Sequence, residues 1–306
     1  RNGSAVYGYD FVSDLDVAND GDGRDADPSD PGDWISASDL SKAVFKDCPV
    51  GNSSWHGSMV AGVIGASSNN SAGVAGVSWG AKILPVRVMG KCLGYDSDII
   101  AGMRWAAGLA VDGVSENLYP AKILNLSLGG PGQCTAAYRD VINQLMAAGS
   151  LVVAAAGNNG GPIGVPANCP GVLAAVGLRH TGTKVDYSSL GPEAGIAAPG
   201  GNCGIVGCPY FFYSTKNSGT TVPETDNYSV AGDADMGTSL STPLVAGVAA
   251  LMRSLNEALT PARLIARIKA GAGAFPQSPG VKSCTETAAA SSPVMEECNC
   301  TTATCG

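Results

Sequence analysis

From Thr238 to Met252 the chain carries no charged residue. A helix of that composition is stable only where other structure covers it on every side, so this run predicts a buried helix and a layered fold around it. Ala246, Gly247, Ala249 and Ala250 keep it slim enough for close packing. The run opens on Gly237-Thr238-Ser239, which puts hydroxyls at the first turn of the helix. Ser and Thr are ordinary N-cap residues, so this triplet says little by itself. A second small-residue helix, expected over 56–64, opens on His56, one of only 2 histidines in the chain. An apolar strand expected over 151–156 ends just before Gly157-Asn158. A base, a nucleophile and an amide donor thus each stand at the end of an element, as acyl-transfer chemistry requires.

The rest of the chain alternates between the two periods. Strands are expected over 81–89, 122–128, 151–156 and 172–176, and helices over 97–109 and 135–148. A last helix is marked by Thr260 as N-cap, Pro261 in its first turn and Gly271 as terminator. Strands alternating with helices imply right-handed crossovers and an α/β fold whose mostly parallel central sheet is covered on both faces. Ligands bind such sheets beyond the carboxyl ends of the strands, where Ser127 and Asn158 fall. The 306 residues include 42 glycines and only 14% charged residues, which suits close helix-on-sheet packing rather than disorder. A net charge of -8 excludes a nucleic-acid surface, and no apolar run is long enough to span a membrane. Residues 1–275 are read as one domain, with 276–306 a Cys-rich tail packed on it.

Three blocks now combine: His56-Gly57-Ser58, then Ala154-Ala155-Ala156-Gly157-Asn158, then Gly237-Thr238-Ser239. In this order they resemble the histidine, oxyanion-asparagine and serine motifs of the subtilisin-like serine proteases, the subtilases. The resemblance implies a three-layer subtilisin-like fold and a secreted serine endopeptidase. In it Ser239 is the nucleophile, His56 the general base, and Asn158 the oxyanion donor together with the Ser239 N–H. Ser58 stands where the family usually has threonine, Leu240-Ser241 where it has Met-Ala, and Leu244 where it has histidine. Asn125-Leu126-Ser127-Leu128-Gly129-Gly130 resembles the family's substrate-pairing segment, and Leu93-Gly94-Tyr95 the opposing edge. A peptide would lie between them as an added strand. Apolar or aromatic residues are expected before the scissile bond, in a pocket walled by Leu128, Gly129, Gly130 and Ala156. The family's aspartate motif, an apolar strand closing on Asp-Thr-Gly or Asp-Ser-Gly, is not found. Asp10 ends a weak strand, but Gly8-Tyr9-Asp10-Phe11 resembles the segment after the first helix of related proteases. The aspartate and the first strand are therefore expected before Arg1. A rival reading is a non-catalytic relative that binds extended peptides in the same cleft. An unrelated α/β hydrolase would need Gly-x-Ser-x-Gly, which Gly237-Thr238-Ser239-Leu240-Ser241 lacks.

Between Asp14 and Asp33 carboxylates crowd among Gly and Pro, a composition expected to be neither helix nor core strand. Their repulsion calls for a hard cation, so Asp20, Asp22, Asp25 and Asp30 are expected to hold a structural Ca²⁺, with Asp14 or Asp27 completing the shell. The 10 cysteines lack a zinc pattern and predict disulfides and an oxidising, extracellular compartment. The expected pairs are Cys48 with Cys92, Cys134 with Cys169 and Cys203 with Cys208, with Cys284, Cys298, Cys300 and Cys305 pairing among themselves. The partners expected are protein or peptide substrates of a monomer, and a pro-segment or proteinaceous inhibitor.

Overall fold

The computed structural model describes residues 7–204, 207–229, 235–285 and 296–306, with the side chains of 204 and 207–209 left aside. The chain divides into two compact units, Arg1–Met59 with Lys82–Ala121 and Lys216–Tyr228, and Val60–Ala81 with Lys122–Thr215 and Ser229–Gly306. In chain order the strands and α-helices are β1 (Tyr9–Asp10), α1 (Leu15–Ala18), α2 (His56–Gly65), β2 (Val86–Arg87), α3 (Asp96–Ala106), β3 (Ile123–Leu126), α4 (Ala136–Ala147), β4 (Leu151–Ala155), β5 (Val172–Leu178), β6 (Ala194–Pro199), β7 (Asn202–Gly204), β8 (Gly207–Tyr210), β9 (Thr215–Asn217), β10 (Asp226–Tyr228), α5 (Thr238–Leu255), α6 (Pro261–Gly271) and α7 (Thr302–Cys305).

The second unit is built on a parallel sheet in the order β3-β4-β5-β6. Every residue of β4 is buried, as a strand with neighbours on both sides and layers above and below must be. One sheet face carries Leu151, Val153, Leu173, Ala175, Ile196 and Ala198, alternate residues of three strands. Val245, Ala246 and Ala249 of α5, Leu259 of the connection that follows it, and Leu264 and Ile268 of α6 complete that core. The uncharged run is thus buried on the face that meets the sheet, but not on every side as its composition implies: Val248 and Leu251, on its outer face, are each 42% exposed. α4 packs against β4, and Thr135 caps it by accepting from the Tyr138 N–H. Thr260 caps α6 in the same way through Arg263 N–H.

The tail is tied to this unit. Lys184 N–H donates to the Cys298 carbonyl at 2.9 Å, and Arg179 pairs with Glu297. The fully buried Lys184 donates from Nζ to the carbonyls of Val185, Asp186 and Glu296 at 2.9, 2.8 and 3.3 Å. Disulfides Cys284–Cys298 and Cys300–Cys305 close the tail, and Cys134–Cys169 closes the loop ahead of α4. Cys203 is also disulfide-bonded, while the side chain of Cys208, its expected partner, lies outside the described residues.

In the first unit β1 pairs with β2 in parallel. The strand expected over 81–89 shrinks to two residues, because β1 offers only Tyr9 and Asp10 as partners. Phe11, Ala101 and Trp105 form one small core, and Val12, Val17, Ala18, Ile35 and Phe45 another. Cys48–Cys92 closes this unit. Its loop of 44 residues would constrain the unfolded chain by about 4 kcal/mol. The acidic stretch holds one helical turn that composition did not suggest. Asp14 accepts from the N–H groups of Asp16 and Val17 and so nucleates α1.

Candidate active site

Ser239 sits in the first turn of α5, half-buried. Gly237 caps that helix at φ 151 and ψ 160, a conformation open essentially to glycine alone. A Cβ there would also come within 3.3 Å of Asn158 Nδ2. Pro243 lies inside α5 and has no N–H to give the carbonyl four residues earlier, that of Ser239. Ser127 compensates: its hydroxyl donates to the Ser239 carbonyl at 2.6 Å, and Asn125 Nδ2 donates to that hydroxyl at 3.0 Å. Ser239 Oγ in turn donates to the Ser127 carbonyl at 3.3 Å. The end of β3 and the start of α5 are thus joined at the nucleophile by two reciprocal bonds.

Asn158 follows β4 and is exposed. Its Oδ1 accepts from both the N–H and the Oγ1 of Thr238, each at 2.9 Å. Thr238 is fully buried and also accepts the Gly157 N–H at 3.1 Å. With its oxygen anchored twice, the amide presents its NH₂ as the donor end, which is the orientation an oxyanion needs. The sequence marked Thr238 only as a helix cap; its work on Asn158 depends on a contact 80 residues away in the chain.

Gly129 and Gly130 are exposed and Leu128 half-buried beyond the end of β3, while Ala156 is buried at the end of β4. Gly130 exchanges two backbone bonds with Val165, at 2.9 and 3.0 Å. The stretch around Val165 therefore borders the expected pocket, a neighbour that no motif had indicated.

In the first unit His56 is the first residue of α2, half-buried, and its N–H donates to Ser54 Oγ at 3.3 Å. Leu93-Gly94-Tyr95 lies on a turn ahead of α3. There the Leu93 N–H and carbonyl bond to Lys91 and Gly90, and the Tyr95 carbonyl accepts from Asp98 and Ile99. Those groups are engaged within the unit, which narrows the expected pairing edge to Gly94 and the Tyr95 N–H.

Asp10 is buried and faces a cation, not an imidazole. Arg87 Nη1 bonds both Asp10 and Asp20, and Val12 N–H donates to Asp10 at 2.7 Å. Burial pushes the Asp10 carboxyl up to about 6, against the pull of the Val12 N–H and Arg87.

Asp20, Asp22, Asp25, Asp27 and Asp30 line one concavity with Ser29, Pro31 and Pro223. Asp20, Asp25, Asp27 and Asp30 each turn Oδ1 onto the N–H two residues on, at 3.3, 2.7, 3.0 and 2.9 Å. Asp25, burial and Asp20 together hold the Asp22 carboxyl above its ordinary range. Burial raises that of Asp30. This all-oxygen, mutually repelling donor set fits a hard cation. Asp20 is the exception, since Arg87 Nη1 takes its Oδ2 at 2.7 Å. Asp14, which caps α1, is not among the residues that line this concavity. Among the described residues the only set of three metal-ligating side chains that closes to within 4.8 Å is Cys284, Cys300 and Cys305. All three sulfurs are in disulfides, so that set offers no thiolate.

Comparison with known proteins supplies the family. The sequence model of the subtilase family, Peptidase_S8, matches residues 22–292. An extracellular protease of Xanthomonas campestris pv. campestris is 41% identical over 278 residues, 90% of this chain and 45% of its own length. An extracellular basic protease of Dichelobacter nodosus is 41% identical over 269 residues, 86% of this chain and 42% of its own. The chain therefore spans less than half the length of these relatives. A solved protease structure from Pseudoalteromonas arctica superposes with a TM-score of 0.82 at 41% identity, covering 89% of this chain and 78% of that one. A cold-adapted subtilisin-like serine proteinase gives a TM-score of 0.59 at 26% identity, covering 89% and 76%. The ordered motifs, the parallel sheet with Asn158 and the helix-borne Ser239 beyond the carboxyl ends of its strands, and a family match over most of the sequence lead to one assignment: this chain belongs to the subtilase family.

Proposed function

We propose that the chain is a secreted serine endopeptidase with broad specificity, preferring apolar or aromatic residues before the scissile bond. The observation that carries this reading is the double anchoring of Asn158 Oδ1 by Thr238 beside Ser239. A merely structural asparagine has no need of an amide aimed outward next to a helix-borne serine. Ser239 Oγ attacks the substrate carbonyl carbon while His56 takes the hydroxyl proton. The tetrahedral oxyanion accepts from Asn158 Nδ2 and the Ser239 N–H, and His56 returns the proton to the leaving amine. Water then releases the acyl group by the same steps, with His56 again as base. The aspartate that orients His56 is not Asp10, whose carboxylate is committed to Arg87. The substrate backbone pairs along Ser127-Leu128-Gly129-Gly130 and across from Gly94 and Tyr95, and its side chain enters between Leu128 and Ala156. Such pairing reads backbone rather than side chains, hence the breadth.

Residues 1–275 form the catalytic domain in this reading and 276–306 a stapled tail. A structural Ca²⁺ held by Asp22, Asp25, Asp30 and Asp27, with Asp20 shared with Arg87, would neutralise the acidic loop and take no part in the chemistry. Extracellular action as a monomer, with a pro-segment to hold the enzyme inactive, completes the proposal. The four described disulfides favour an oxidising compartment, and none of the described helices is long and apolar enough to cross a membrane. The test is hydrolysis of peptide amides against simple esters by the full chain and by Ser239→Ala. Peptide cleavage lost in the variant supports the proposal. Tight peptide binding without cleavage would favour the non-catalytic relative.

A further inference from the structure

The residues ahead of His56 are held more tightly than a connecting loop needs. Trp55, immediately before it, has φ 51, a left-handed conformation that costs a bulky residue of order 1–3 kcal/mol and persists only where its surroundings enforce it. Its indole is 4% exposed and donates to the Gly219 carbonyl at 2.6 Å. Ser53 is fastened to the same stretch, its Oγ to the Thr221 carbonyl at 2.5 Å and its N–H to the Thr220 carbonyl at 2.8 Å.

Asp33 closes the clamp from the other side. It accepts the Ser54 N–H on Oδ1 at 2.6 Å and the Ser54 hydroxyl on Oδ2 at 2.7 Å. With its proton directed at Asp33, Ser54 Oγ accepts the His56 N–H at 3.3 Å. A directional chain therefore runs from the first N–H of α2 through one hydroxyl to a carboxylate, and such charge-assisted bonds are the strong ones. Gly32 allows this approach. Its φ is 109, and a Cβ there would stand 2.0 Å from the Thr221 carbonyl oxygen and 2.6 Å from Ser53 Oγ.

We propose that Asp33 is a positioning residue for His56, fixing through Ser54 the first turn of α2 and so the direction in which the imidazole leaves the helix. This rests on the reading of His56 as general base. Without the carboxylate, Ser54 loses both acceptors that hold it and the strained Trp55 backbone can relax, which turns the residue that follows. A misplacement of about 1 Å in a reacting group costs about a hundredfold in rate.

The experiment compares the full chain with Asp33→Ala, Asp33→Asn and Ser54→Ala. It reads kcat and KM on a peptide amide, the melting temperature, and the imidazole proton resonances of His56. The exposed His180, the only other histidine, serves as internal reference. D33A should lower kcat about a hundredfold with KM unchanged and shift the His56 resonance while leaving that of His180. D33N should recover most of the loss, since its amide oxygen accepts the Ser54 N–H and its NH₂ donates to Ser54 Oγ. S54A keeps the backbone bond to Asp33 and cuts only the relay, so it should shift the His56 resonance even if D33A does not fold. An unmoved His56 resonance in S54A and D33A, or a kcat loss no larger than the loss of folded protein, overturns the proposal. Absence of hydrolysis by the wild type would sink the general-base reading instead, while the resonances still report whether Asp33 places His56.

Discussion

Thr238→Val keeps nearly the volume of a fully buried side chain and removes a single oxygen. That oxygen is one of two donors to Asn158 Oδ1, the other being the Thr238 N–H. A neutral hydrogen bond contributes about 1 kcal/mol net, so losing one anchor lets the amide leave its orientation about five times more readily. The variant should lose up to about fivefold in kcat with KM unchanged, whereas Asn158→Ala, which removes the donor itself, should lose a hundred- to a thousandfold. In the double variant the threonine has no amide left to orient, so the loss should equal that of N158A alone. T238V also strips the acceptor from the Gly157 N–H, which should lower stability by about 1–3 kcal/mol. Steady-state kinetics on one peptide amide and thermal melts of the four proteins decide the matter. If the T238V and N158A losses multiply, Thr238 acts on catalysis by a route other than Asn158.

Two further outcomes follow from the charges. Calcium at a hundred times its dissociation constant should stabilise the folded chain by about 2.7 kcal/mol; Asp22→Ala should blunt the rise in melting temperature, and an equal response in both proteins would move the site elsewhere. The Ser36 hydroxyl and N–H, and then Lys91 at 3.1 Å, hold the Asp39 carboxyl down to about 2. A depressed acid contributes stability that is present above its unfolded value of 3.8 and lost as pH falls through about 2. Asp39→Asn should therefore be less stable at neutral pH and show a flatter acid limb between about pH 4 and pH 2 in melts followed by circular dichroism.

The elements that the sequence announced are those whose signals are local. Thr135 and Thr260 cap α4 and α6 as their positions imply, and the apolar run of β4 is buried throughout. β6 escaped notice because Ala194-Gly195-Ile196-Ala197-Ala198-Pro199 has a single β-branched residue and ends in proline; only its pairing with β5 makes it a strand. α1 was hidden by the charge around it, although Asp14 is an ordinary cap. At the site, the serine, histidine and asparagine blocks were legible as motifs, because each joins a special residue to a small-residue flank. The groups that orient them were not. Thr238 reaches Asn158 across 80 residues and Asp33 reaches Ser54 across 21, and a contact made only by the fold leaves no pattern in the chain. The same holds for Asp10 and Arg87, 77 residues apart, whose pairing turns an apparent strand-end carboxylate into a structural ion pair.

The sharpest test of Ser239 as the nucleophile is its reaction with a sulfonyl fluoride. The native full chain, incubated with phenylmethylsulfonyl fluoride and digested, should carry the sulfonyl group on the peptide containing Ser239 and on no other serine, with hydrolysis lost in proportion to labelling. N158A should label more slowly, and S239A or urea-unfolded protein not at all. A native chain that cleaves peptides while Ser239 stays unlabelled, or that labels at another serine as activity is lost, would contradict the assignment.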